Sequence, residues 1–128
     1  MRIVIETIDH ELQRYPTCGD WKVYNYSLQI NVSNVDDWRM EALVGIHELV
    51  EAVLCIDKGI SQESVDKFDI AFEKAREHAI GGIEEPGDSP EAPYHIQHGY
   101  ATAVERMLCA AMNIPWATYE SRLKELDG

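Results

Sequence analysis

Apolar and polar positions change rhythm once along this chain, near residue 34. Before that point they recur with the period of two expected of extended chain. Ile3, Ile5 and Ile8 stand among Val4 and Thr7, and Trp21-Lys22-Val23-Tyr24 makes a second such run. Residues 26–33 give a third, with Leu28, Ile30 and Val32 on one face. The turn-forming stretch Tyr15-Pro16-Thr17-Cys18-Gly19-Asp20 separates the first two runs, and the join around Asn25 is short enough for a hairpin. After residue 34 the period lengthens to that of a helix. Asn34, Asp36 and Asp37 are N-cap candidates for a long helix running to about residue 57, ended by Lys58-Gly59. Ser61 caps a second helix with Val65, Phe68, Phe72, Ala75 and Ala79 on its inner stripe, and Gly81-Gly82 stops it. A proline-rich loop over residues 84–93 is too short to separate domains. A third helix covers about 94–113, and a short one starts with Pro115 at its first position and ends near residue 126. Strands first and helices after predict an α+β fold: a small antiparallel sheet of about three strands, then three long helices and a short C-terminal one. One domain over residues 1–128 suits this length.

Charge narrows the function classes. With 23 acidic and 11 basic residues the net charge is −12, and the lysines and arginines are scattered, so no nucleic-acid partner is expected. No apolar run approaches the roughly 18 residues of a membrane span, and the N-terminal residues lack the apolar stretch of a signal peptide. The expectation is a cytoplasmic protein with no membrane partner. Cys18, Cys55 and Cys109 are odd in number and lack Cys-x-x-Cys spacing, which suits buried thiols in a reducing compartment.

The chemistry concentrates on the first long helix. Residues there advance by about 100° each, so Ala42, Leu43, Ile46, Leu49, Val50, Val53 and Leu54 fill an apolar arc. His47, Glu48, Glu51 and Cys55 share a narrower stripe on the other side. His47 and Glu51 are one turn apart and can reach one ion. An imidazole and a carboxylate suit zinc first, with iron or manganese as alternatives, and Glu48 beside them is placed to take a proton from a metal-activated water. The competing reading of the pentapeptide is a solvated face of surface acids. On the third helix His98 and Glu105 lie two turns apart on nearly one azimuth, flanked by Ala101, Leu108 and Met112, so both face inward. His98 is therefore preferred to His95 as a ligand, with Glu105 as a further ligand or an outer partner. His10 and His78 read as surface residues. Asp69 stands at the shoulder of the second helix, near Arg76.

The runs Arg14-Tyr15-Pro16-Thr17-Cys18-Gly19-Asp20-Trp21 and Asp37-Trp38-Arg39, the helix carrying His47 to Glu51, Pro86-Gly87-Asp88, Ala92-Pro93-Tyr94 and His98 together resemble small uncharacterised phage and prophage proteins. His47-Glu48-Leu49-Val50-Glu51 is similar to the His-Glu-x-x-His helix of zincin metallopeptidases, with Glu51 where that family has its second histidine. The zincin resemblance implies a small sheet before the metal-binding helix and a third ligand from a later helix.

Three functions follow as expectations. The first is a metal-dependent hydrolase, a peptidase among the candidates, with His47, Glu51 and His98 holding the ion and Glu48 as general base; a peptide substrate would add to the strand at Leu28 to Val32. The second is a nucleotide pyrophosphohydrolase similar to MazG proteins, in which Glu48-x-x-Glu51 and Asp66-x-x-Asp69 would imitate the magnesium-binding acids. The third is a non-catalytic protein with a structural metal, or one that binds a host protein, for which Trp21, Trp38 and Trp116 are candidate anchors, though tryptophans at such places are more often core.

Overall fold

The computed structural model describes residues 1–76 and 85–126. Strands β1 (Arg2–Ile8), β2 (Gly19–Tyr24) and β3 (Ser27–Ser33) precede helices α1 (Trp38–Lys58), α2 (Gln62–Arg76), α3 (His95–Ala111) and α4 (Trp116–Lys124). The fold is α+β, in the expected order. The expected contributions of His78, Ala79 and Gly81-Gly82 lie outside the described residues.

The sheet departs from expectation in one respect: it is mixed, not antiparallel. Its order is β1-β3-β2, with β1 parallel to β3 and β2 antiparallel to it. Asn25 and Tyr26 both take positive φ, which gives the two-residue turn that closes the β2–β3 hairpin. The chain between β1 and β2 then has to pass the end of β3 rather than turn back beside β1. Gln13 fastens that passage, its Nε2 donating to Asn31 O at 3.2 Å and Ser33 Oγ at 3.1 Å, and His10 Nδ1 meets Ser33 Oγ at 2.8 Å. Alternation of apolar residues fixes which face of a strand is buried but says nothing of its neighbour's direction. As the central strand, β3 is paired on both sides, so the expected docking of a peptide on Leu28 to Val32 has no free edge to use. The edge beside the helices belongs to β2, where Val23 N–H donates to Gln62 Oε1 at 2.7 Å.

Leu28, Ile30 and Val32 of β3 pack on Leu43, Val44 and Ala52 of α1, joined by Trp21, Val65, Tyr94 and Tyr119 in one core. The ends of α1 form as the sequence predicts. Asp37 caps it by accepting from Arg39 N and Met40 N, and Gly59 ends it in the left-handed region at φ 72°. Pro115 is the N-cap of α4 rather than its first helical residue. The tryptophans divide: Trp21 is buried and Trp116 half-buried, whereas Trp38 is 74% exposed.

The faces of α1 are the larger surprise. His47, Glu51 and Cys55 are buried, while Val53 and Ile56 are exposed. The polar stripe is interior because α3 packs along it, so the solvated-face reading of the pentapeptide is overturned. Leu43, wholly buried between β3 and α1, tests this packing. Leu43→Ala should cost about 2–5 kcal/mol, measured as the difference in unfolding free energy from urea titrations.

Candidate metal centre

α1 and α3 run antiparallel, since His47 meets Glu105 while Glu51 meets His98. Their shared seam carries a carboxylate between two imidazoles. Glu51 Oε2 lies 3.3 Å from His47 Nε2 and 2.9 Å from His98 Nδ1. The two rings stand edge to face with centroids 4.7 Å apart. One donor atom from each of His47, Glu51 and His98 lies within 4.8 Å of the others, and all three residues are buried.

Each ligand candidate also has an outer partner that fixes its orientation. His47 Nδ1–H donates to Glu105 Oε1 at 2.7 Å, and Glu105 Oε2 in turn accepts from the Tyr119 hydroxyl. His98 Nε2 faces Glu85 Oε2 and Asp88 Oδ1, both at 3.1 Å. Trp21 Nε1–H donates to Glu51 Oε1 at 3.1 Å, leaving Oε2 to face the imidazoles. This is the carboxylate-behind-histidine pattern by which metal sites set the tautomer and angle of their ligands. Two imidazole nitrogens and one carboxylate oxygen, turned toward one point, fit a divalent ion such as zinc. Glu105 stands behind His47 rather than among the three. His95 is separate: its Nδ1 binds Gly87 O at 2.9 Å and helps hold the Pro86–Asp88 turn on α3.

Electrostatics follow from this crowding of acids around buried bases. Burial works against the Glu51 charge, yet hydrogen bonds from His47 and His98 hold its pKa down to about 2. Burial likewise opposes a charge on His98, but Glu51 and Glu85 outweigh it and raise its pKa to about 10. His47 is raised well above its ordinary value, the Glu105 and Glu51 hydrogen bonds overcoming desolvation. Glu48 behaves oppositely to Glu51. It is half-buried with no hydrogen-bond partner among the described residues, and burial together with the Glu51 charge pushes its pKa well up.

A cleft of about 260 Å³ opens over the three residues. Its walls are the chain from Tyr15 to Trp21, the inner side of α2, the Pro86–Asp88 turn and parts of α3 and α4. Two glycines shape it. A Cβ on Gly19 would lie 2.7 Å from Val44 Cγ1 and 2.8 Å from Glu48 Oε1, so the absence of a side chain lets β2 close against the base of Glu48. A Cβ on Gly87 would lie 2.3–2.4 Å from the His98 ring, so only glycine allows the turn to sit over that imidazole. Asp69 does not join the three, nor does it pair with Arg76. It is buried on α2, accepting from the Tyr94 hydroxyl and from Tyr15 Oη at 3.1 Å. Asp66 is held by Arg14 Nη1 at 2.9 Å, and Arg14 Nε also binds Asp20 at 2.7 Å. The second pair of acids in the pyrophosphohydrolase comparison is thus engaged in fastening the 14–20 segment to α2.

The glycines, Trp21 and Tyr119 had no mark in the sequence as components of a site; Asp88 sat in a loop whose fold no periodicity predicts. No family model, no curated protein and no solved structure matches the chain.

Two predictions come from this geometry. Gly87→Ala must push the His98 ring aside, a clash of the kind that costs about 1–3 kcal/mol, and should weaken zinc binding about tenfold or more by competition titration. Burial raises the Asp69 pKa from 3.8 to about 7, with the two tyrosines opposing. The folded state thus keeps a proton there that the unfolded chain has lost, and this residue's contribution to stability falls as pH rises from 3.8 to about 7. Thermal melts should show wild type losing ground to Asp69→Asn across that window.

Proposed function

We propose that this protein is a metal-dependent hydrolase, with His47, Glu51 and His98 as the ligands of a divalent ion, zinc foremost, and Glu48 as its general base. The observation that carries the reading is the buried set of two imidazoles and a carboxylate, each backed by an outer partner and together lining a cleft. A divalent ion held there would supply Lewis acidity and lower the pKa of water. The chain's own groups supply the rest. Glu105 and Tyr119 keep Nδ1 of His47 protonated, which turns Nε2 toward the cleft. Glu85 and Asp88 do the same for the outer nitrogen of His98. Glu48 stands beside His47 and Glu51 with no hydrogen-bond partner among the described residues, which leaves its carboxylate placed to take a proton from water and return it to a leaving amine. Val44 and Trp21 limit water at the base of the cleft.

A peptide is the substrate class that the zincin resemblance suggests, and Gly19, Asp20 and Trp21 of β2, rather than the central strand, line the cleft. The mixed sheet and the engagement of Asp66 and Asp69 with Arg14, Tyr15 and Tyr94 favour this reading over a pyrophosphohydrolase. No helix among the described residues is long and apolar enough to cross a membrane. A cytoplasmic setting belongs to the same proposal, in keeping with Cys18, Cys55 and Cys109 being outside any disulfide, the last two of them buried.

The test pairs metal content with turnover. Protein prepared without a histidine tag should carry close to one equivalent of zinc, iron or manganese by elemental analysis, and should cleave members of a quenched-fluorescent peptide library. Glu48→Gln should keep the metal and lose turnover by about 100-fold or more. Turnover unchanged in Glu48→Gln excludes Glu48 as the base; failure to take up any of these metals refutes the reading altogether.

A further inference from the structure

We propose that the outer face of α3 pairs with the same face of a second copy of this chain, the two helices running antiparallel about Ala103. The inner face of α3 is committed to the centre and the core through His98, Ala101, Glu105 and Cys109. On the opposite side Ile96, Tyr100 and Met107 are 67%, 63% and 69% exposed. They recur at intervals that place them on one stripe with Gly99, Ala103 and Ala110, all exposed as well. An amphipathic surface helix turns its apolar stripe inward. This one carries a histidine and a glutamate inside and its large apolar residues outside. No charged residue interrupts the stripe, on a chain with net charge −12. Contiguous exposed apolar surface of this kind marks an interaction site.

The order of large and small residues along the stripe selects the partner. In an antiparallel pair centred on Ala103, residues equidistant from it in the two copies lie level. Met107 of one copy then meets Gly99 of the other, Ile96 meets Ala110, and Ala103 meets its counterpart. At two of these levels a large side chain faces a small one and at the centre two alanines meet, which lets the helices approach closely, while Tyr100 lies level with Arg106 at the edge of the stripe. A foreign partner requires no such symmetry. Charge agrees: two strongly acidic molecules repel over most of their surface, so the uncharged strip is where a second copy approaches at least cost. Six residues a side make a small contact by the standard of specific interfaces, which begin at about 1,000 Å² in all. The dimer should accordingly dissociate on dilution. This inference is independent of the metal reading, because the cleft opens on the other side of α3.

Sedimentation velocity on the untagged chain tests it. From roughly 1 μM to roughly 1 mM, the sedimentation coefficient should move from that of a monomer to that of a dimer. Met107→Glu should weaken association at least tenfold while leaving the circular dichroism spectrum unchanged. Gly99→Leu does so without adding charge, by filling the space opposite Met107; a Cβ at Gly99 meets nothing within 4 Å, so the monomer tolerates it. A monomer throughout the range overturns the proposal. So does a dimer that both variants leave intact, since its interface lies elsewhere.

Discussion

The buried carboxylate of Glu51 is the constraint around which this structure is arranged. Removing a carboxylate from water is costly unless hydrogen bonds replace the lost hydration. Here three donors surround it: the imidazoles of His47 and His98 and the indole of Trp21. These donors come from α1 itself, from α3 and from β2, so satisfying one charge fixes the relation of two helices and the sheet. Networks of this type contribute little net stability compared with a well-packed apolar seam, yet breaking one member leaves an uncompensated buried charge. A seam of leucines would join α1 to α3 more simply. That the chain uses histidines and acids there, each oriented by a second group, is the physical reason to read the seam as a site.

The outer partners extend that constraint to the rest of the fold. Tyr119 reaches Glu105 from α4, so the short C-terminal helix helps orient His47. The Pro86–Asp88 turn closes over His98 because Gly87 leaves room for the ring. Asp69 ties α2 to Tyr15 and Tyr94, and Arg14 adds Asp20 and Asp66, so the wall of the cleft is held by polar contacts rather than a broad apolar interface. α2 buries just Val65 and Asp69 among its described residues. Its attachment therefore combines Val65 and half-buried Phe68 with the same acids that the sequence offered as magnesium ligands.

Much of this was legible in the chain. Periodicity placed all three strands and four helices, and Asp37 and Gly59 marked the limits of α1. Azimuth along two helices was enough to choose His98 over His95 and to aim Glu105 at the same seam. What escaped was whatever depends on a partner distant in sequence. The alternation in Ile3, Val4 and Ile5 is the same for a parallel as for an antiparallel neighbour, so the direction of β1 was hidden. The apolar arc of α1 was assigned inward by hydrophobicity, yet Val53 within it is exposed, because pairing with α3 draws the polar stripe inside. Trp21 was recognisable as a core residue but not as the donor to Glu51. Tyr119, twenty-one residues beyond His98, carries no local signal at all. Gly87 was one turn-forming residue among several until the ring beneath it was known.

In the two proposals made above, α3 would serve two purposes, its inner seam holding the ion and its outer face meeting a second copy. The claim on which the functional account stands is that His47, Glu51 and His98 bind one ion together. Zinc K-edge X-ray absorption on the zinc-loaded protein measures this directly. The account predicts a four-coordinate spectrum with two imidazole nitrogens at about 2.0–2.1 Å and oxygen donors completing the shell, losing one imidazole in His98→Ala. A shell of oxygens alone, any sulfur ligand, or a spectrum that His98→Ala leaves unchanged would contradict it.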